Sequence, residues 1–252
     1  MDTTLQALQS SVARLHAMVG DLDDTQLVAP AYPTDWNIAD VLSHIGSGAV
    51  IMRQRLEDTL LGQPTPEDFA PGVWDTWNAK SPRSKAEDAL VADQGLLDRI
   101  ESLTASERSR FRFSLGPVNL DFDGFVGLRL NEHAFHAWDI EVALDPAAVV
   151  PPDAAAQVVD NLELIARFTA KPTGSDRSVA VRTIEPRRDF TITFSPDEVA
   201  LAAGESRHEP DLVLPAEAFA RLVYGRLDPD HTPSVNGDVD TLEELRRAFP
   251  GL

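Results

Sequence analysis

Five side chains able to bind protons or metals, Glu132, His133, His136, Asp139 and Glu141, fall within one apolar stretch, "FDGFVGLRLNEHAFHAWDIEVAL" (122–144). On a helix, residues three or four apart share a face, so Glu132, His136 and Asp139 stand one above the other. His44 lies in a second helical stretch, three residues after Val41 and one before Ile45, at the border of its apolar stripe. If the two helices are neighbours, His44, Glu132 and His136 converge. Two imidazoles and one carboxylate, with no fourth protein ligand, are the donor set of an open divalent-metal site of the zinc type. Water or substrate takes the remaining position.

A plainer reading competes. Acidic residues are 41 of 252, so of six histidines about one has a carboxylate four positions earlier by chance. Two have one, in Asp40–His44 and Glu132–His136. Spacing alone therefore leaves a surface ion pair and a metal site both open. Placement beside apolar stripes favours the metal, because a buried carboxylate without compensation is costly. His133 points about 100° away from Glu132 and is expected behind the ligands or at the surface. His16 reads as a helix-flank residue, and His208 and His231 as loop residues. Trp36, Trp74, Trp77 and Trp138 read as packing, with one free to line a pocket. The acidic start "GDVDTLEEL" suits a helix dipole and calls for no function.

Four long helical stretches must position these groups. In "TLQALQSSVARLHAMVGDL", Leu5, Leu8, Val12, Leu15 and Val19 recur at helix spacing. A Pro-rich turn, "APAYPTDW", leads into "NIADVLSHIGSGAVIMRQRLEDTLLG", with Asn37 as cap, Asp40 three residues on, and a stripe of Ile38, Val41, Leu42, Ile45, Ala49 and Met52. "QPTPEDFAPG" reads as loop and "SKAEDALVADQGLLDRIESL" as a third amphipathic helix, with Ala86, Leu90, Leu97 and Ile100 apolar. The stretch 122–144 is the fourth, and four such helices predict a bundle. After "ALDPAAVVPPD" the pattern changes. "AAAQVVDNLELIARFTA" reads as a fifth helix. "VAVRTI", "DFTITF", "EVALAAG" and "PDLVLP" then read as short strands, and "AEAFARLVYGR" and "DVDTLEELRRAFPGL" as helices. The expected organisation is an α+β chain of two domains, a helical bundle over 1–148 and a small α+β domain over 149–252, linked through Pro146 to Asp153.

Composition narrows the partners. Lys plus Arg number 22 and Asp plus Glu 41, a formal charge of −19 that repels phosphate backbones and anionic lipid. Nucleic-acid and membrane partners are therefore not expected. "MDTTLQALQS" lacks the basic start and apolar core of a signal peptide, and no apolar run approaches the ~20 residues that span a bilayer. A cytoplasmic location is expected. The absence of Cys excludes a cysteine nucleophile and thiolate ligands from the chain itself, so thiol chemistry here needs a thiol from outside.

Five stretches carry a family resemblance. "PTDWNIADVLSHIG" and "RLNEHAFHAWDIEVAL" resemble the second and fourth helices of DinB-like metalloprotein bundles. "RRDFTITF", "LVYGRL" and "VNGDVDTLEELRRAF" resemble the sterol-carrier-like C-terminal domain of the mycothiol-dependent maleylpyruvate isomerase family. Together they cover nearly the whole chain. The resemblance implies a divalent metal, usually zinc, held by His44, Glu132 and His136. It also implies mycothiol as thiol cofactor or cosubstrate, beside an electrophilic small molecule. A thiolate formed near neutral pH would add to a conjugated double bond, permit rotation and leave again, giving cis–trans isomerisation. Attack at a carbon bearing a leaving group would give S-transfer to another electrophile instead. A third, non-enzymatic reading is a metal-containing ligand carrier. The resemblance further implies an Arg of the C-terminal domain that binds the anionic substrate. Arg226 in "YGRL" is the candidate, with Arg246 and Arg247 as alternatives.

Overall fold

The computed structural model describes residues 3–116, 118–204 and 209–251. His208 lies outside the described residues. The chain divides into two compact units, Met1–Ala148 and Val149–Leu252. The first is helical and the second contains a sheet, so the chain is α+β, as the change of hydrophobic period predicts.

The first unit is built on α1 (Thr3–Gly20), α3 (Ile38–Leu61), α5 (Pro82–Glu101) and α7 (Phe122–Leu144). Short helices α2 (Asp24–Leu27), α4 (Phe69–Asn78) and α6 (Ala105–Arg110) join them, with a hairpin of β1 (Phe113–Leu115) and β2 (Val118–Leu120) before α7. Helices α3 and α1 each pack on both α5 and α7, so the four close into a ring. Pairs Asp40–Lys85 and Glu57–Arg99 run α3 parallel to α5. Contacts of Leu22 with Arg83 and of Gln9 with Glu101 run α1 antiparallel to α5. The stripe expected on α1, Leu5 to Val19, is buried, as are Ile38, Val41, Leu42, Ile45 and Ala49 of α3. Both faces point inward because burying those side chains is the main favourable term in closing the bundle.

Helix α4 corrects the expectation that 63–72 is loop. It starts at Phe69, and its first residue follows Asp68, which makes no side-chain cap bond. Its hold on the bundle is tertiary: Trp77 is buried against α3. Gly46 makes that contact possible. A Cβ there would overlap the Trp77 ring and stand 2.8 Å from Ala89 Cα on α5. Gly46→Ala should lower stability by about 1–2 kcal/mol through overpacking, although Ala is the better helix former. A thermal melt of the variant with an unchanged or higher Tm would contradict this close packing.

The second unit opens with α8 (Pro152–Val158), a 3₁₀ turn at Val159–Asn161 and α9 (Leu162–Thr169). One continuous helix over 154–170 was expected. The apolar period runs through "VVDNL", but the chain breaks there into two helices. Strands β3 (Arg177–Ile184), β4 (Arg188–Phe194), β5 (Val199–Ala203), β6 (Leu212–Pro215) and β7 (Asn236–Gly237) form one sheet in the order β5-β4-β3-β6-β7. Only β3 and β6 pair in parallel among the described strands. Alternation buries Val179, Val181, Phe190, Ile192, Phe194, Leu212 and Leu214. Helix α10 (Ala216–Val223) packs on β3 and β6 and on α8 and α9, and α11 (Val239–Ala248) follows β7.

Candidate metal centre

Two helix starts set the register of the site. Asn37 caps α3: its Oδ1 accepts from Asp40 N at 2.9 Å, and Asp40 Oδ2 accepts from Asn37 N at 3.3 Å. Asp40 also binds Lys85 Nζ at 2.7 Å. The Asp40–His44 spacing therefore belongs to a helix cap and an interhelix pair. Asp121 caps α7 by accepting from Gly124 N at 2.9 Å. The Pro-rich turn is strapped to α7 near its C-terminal end, where Tyr32 N donates to Asp139 O at 3.1 Å and the Tyr32 ring meets Trp138 edge-on at 4.8 Å.

Helices α3 and α7 bring His44, Glu132 and His136 together, each offering a ligand atom within 4.8 Å of the others. His44 Nε2 lies 3.3 Å from Glu132 Oε2, and His136 Nε2 lies 3.7 Å from the same oxygen. The two imidazoles meet edge-on at 4.4 Å, and Trp36 packs beside both. Among the described residues this is the one group of three such ligands. The Glu132 side chain keeps 48% of its surface accessible and His44 38%, so the trio is open to an incoming ligand.

The electrostatics suit a cation. Burial raises the pKa of Glu132, but hydrogen bonds from His136 and His44, with their positive charge, outweigh it and hold the carboxyl below its usual range. Burial is also the largest cause lowering the His44 pKa, opposed by its bond to Glu132. Near neutral pH the lowered pKa values pair a neutral His44 with an ionised Glu132. Asp139 is fully buried and accepts from His136 Nδ1 at 2.8 Å. A proton held on His136 Nδ1 by Asp139 would leave Nε2 to a metal ion, the arrangement in which a carboxylate orients a metal-binding imidazole. Asp139→Asn should weaken divalent-metal affinity by roughly 10–100-fold without removing binding. A competition titration with a chromogenic chelator measures this, and unchanged affinity would remove Asp139 from the site's support.

The trio lines a cavity of about 260 Å³, whose walls also include Gly48, Met52, Arg55, Trp74, Phe113 and Arg129. Clefts of about 450–710 Å³ elsewhere on this unit are larger, but none of them is lined by the trio. Two tryptophans thus border the site, Trp36 at the imidazoles and Trp74 at the cavity, whereas Trp77 and Trp138 are packing residues.

His133 corrects the expectation of a place behind the ligands or at the surface. It is fully buried on the opposite flank of α7. Its Nε2 lies 2.8 Å from Asp93 Oδ2 and its Nδ1 2.8 Å from Ser11 Oγ. The rotation away from Glu132 is as expected, but α1 and α5 cover that flank. Burial, as the largest cause, lowers the His133 pKa against the pull of Asp93, so the ring is neutral. Sequence reasoning also missed Asp93 and Arg129. Arg129 Nη2 donates to Asp93 Oδ1 at 2.6 Å and to Ile45 O at 3.1 Å, with both side chains buried. These pairs span 36 and 40 residues of sequence, and no local spacing signals them.

In the second unit, Arg226 is half-buried and its Nη1 donates to Tyr224 O at 3.1 Å. Arg246 donates to Leu227 O at 2.6 Å and pairs with Glu243, while Arg247 is exposed on α11. His231 ends a 3₁₀ turn, with Nδ1 2.8 Å from Asp228 Oδ2.

Comparison with known proteins bears on both units. Residues 8–141 match the family model described as the mycothiol maleylpyruvate isomerase N-terminal domain, and residues 153–244 match that of the MDMPI C-terminal domain. A crystal structure of a histidine-to-alanine mutant of the mycothiol-dependent maleylpyruvate isomerase superposes with a TM-score of 0.67 at 11% identity, covering 94% of this chain and 93% of that one. A second crystal structure of that isomerase gives 0.65 at 11% identity, covering 88% of each chain. No curated protein matches the sequence. At this identity the structural likeness speaks for the fold, and the two domain matches, which together span most of the sequence, speak for descent. The chain belongs to the mycothiol maleylpyruvate isomerase family.

Proposed function

We propose that this protein is a divalent-metal enzyme that uses mycothiol as an exogenous thiol to isomerise a small conjugated electrophile, a reading prompted by its likeness to the mycothiol-dependent maleylpyruvate isomerase named above. The observation that carries the reading is the convergence of His44, Glu132 and His136 in the lining of a cavity, in a chain of this family. The donor set of two neutral imidazole nitrogens and a carboxylate suits zinc and related ions. When bound, the ion would supply Lewis acidity that lowers the pKa of a thiol from about 8.5 into the neutral range.

The chain's own residues do the rest. His44 and His136 contribute neutral nitrogens, Glu132 contributes charge, and Asp139 keeps the His136 proton on Nδ1. Met52, Trp74 and Phe113 give the cavity apolar walls that limit water around a reactive sulfur. With no Cys in the sequence, the chain has no thiol of its own to offer. Arg226 is proposed as the substrate-binding residue of the second domain. We take 1–148 and 149–252 as separately folding domains and the cytoplasm as the site of action. No described helix is long and apolar enough to cross a membrane.

The test is turnover of maleylpyruvate followed by absorbance, with metal and mycothiol added singly and together. The reading expects isomerisation only with both. Thioether formation with another electrophile and no isomerisation would move the assignment to S-transfer. No turnover and no thiol binding by metal-loaded protein would leave a ligand carrier.

A further inference from the structure

The wall of the cavity next to the trio holds a cation whose outer end is unused. Arg129 lies one turn before Glu132 on α7, about 4.5 Å along the axis. Its residue surface is 2% exposed. One terminal nitrogen, Nη2, is committed to Asp93 and to the Ile45 carbonyl. Nε is enclosed and has no hydrogen-bond partner. Nη1 likewise has no partner among the described residues, but unlike Nε it is not enclosed, and Arg129 lines the cavity. Facing it on α3 is Gly48. A Cβ at that position would meet a single neighbour, Arg129 Nη1 at 3.4 Å, and otherwise open space. The missing side chain leaves a small opening at Nη1 in an otherwise buried guanidinium.

A buried guanidinium serving only to hold α5 to α7 would use all its donors or be walled off, since each unpaired buried donor is unfavourable. Here the packing fixes one end and opens the other toward the site. Charge points the same way. Asp93 balances Arg129, Glu132 would offset one of the two charges of a divalent ion, and Arg55 lines the same cavity, so the charge there is net positive. That field favours an anionic group, and the position of Nη1 favours an oxygen acceptor.

We infer that Arg129 Nη1 anchors one carboxylate oxygen of the electrophilic substrate, holding the reacting carbon beside the metal-binding trio. The inference rests on the proposed enzyme reading and adds a residue to it: a carboxylate of the substrate is bound within the helical unit by Arg129. Arg129 is thereby a substrate-binding residue, and Gly48 sets the space its ligand occupies.

The test uses maleate, a stable C4 dicarboxylate, titrated calorimetrically into the full-length protein with and without Co²⁺. Two variants are compared with wild type. Gly48→Leu fills the space before Nη1 without changing charge, and Leu is a better helix former than Gly. The pair Arg129→Met/Asp93→Asn removes the cation and its counter-charge together, so no buried charge is stranded. The expected result is that both variants melt as folded proteins and take up Co²⁺ as wild type does. Each should bind maleate about tenfold or more weakly, the scale of a lost charge-assisted hydrogen bond. Wild-type maleate affinity in either variant, or no maleate binding by wild type, overturns the inference. Failure of the metal reading is separate: it shows as no Co²⁺ uptake by wild type, and the metal-free titration still decides the role of Arg129.

Discussion

Alanine at His44, Glu132 or His136 is expected to lower divalent-metal affinity by more than about 100-fold, a larger loss than removing an orienting carboxylate brings. The reason is the number of donors. Three protein atoms lie within 4.8 Å of one another, and removing one leaves a two-point site. Glu132→Ala adds an electrostatic loss, because it removes the only carboxylate of the trio. Metal content after dialysis, by elemental analysis, checks this against His16→Ala, which lies outside the trio and should keep the wild-type ratio. Stoichiometric metal retained by a His44→Ala/His136→Ala double variant would refute the site.

The largest loss of stability is expected from Asp93→Ala. Asp93 is 1% exposed and serves two buried partners, Arg129 and His133. Truncating it strands the guanidinium in the bundle interior and removes the acceptor of His133. Breaking a buried pair in this way costs about 3–5 kcal/mol. For a unit of this size the Tm should fall by roughly 10 °C or more. The paired replacement Arg129→Met/Asp93→Asn should recover much of the loss, and a fall in the pair equal to that in Asp93→Ala would contradict the account.

The same carboxylate predicts a pH dependence. Burial raises the Asp93 pKa, but the neighbouring His133 and Arg129 outweigh burial and hold it below the usual carboxylate range. A depressed carboxylate pKa means that the unfolded chain takes up the proton first as pH falls. The stabilisation from Asp93 is therefore complete above the unfolded value of about 3.9 and is lost as pH falls below it toward the folded value.

Much of the helical unit was legible because its apolar residues repeat at helix spacing: Leu5 to Val19 and Ile38 to Ala49 are buried as that spacing requires. The Asn37–Asp40 cap was legible because its bonds are local. Helix α4 was hidden by Pro71 and Gly72 and by the lack of a side-chain cap at Asp68, since its stability comes from Trp77 packing on Gly46. The break between α8 and α9 was hidden because Val158, Val159 and Leu162 stay apolar through it, all three being buried. Within the site, the four-residue spacing of Glu132 and His136 is local, but by itself it leaves a surface ion pair and a metal site both open. His44 is 88 residues from Glu132, and spacing alone offered it only as one of two open readings. Asp93, Arg129 and Ser11 gave no local signal, because what makes them matter is burial and pairing across helices.

The central claim is that an external thiol sulfur reaches a metal held by His44, Glu132 and His136. Its most direct test is the near-ultraviolet spectrum of the Co²⁺-loaded protein titrated with mycothiol, because thiolate ligation produces a sulfur-to-metal charge-transfer band. The account predicts that this band grows to one equivalent of thiol at neutral pH in wild type and is absent in Glu132→Ala. A Co²⁺-loaded protein that shows no such band at saturating mycothiol would contradict it.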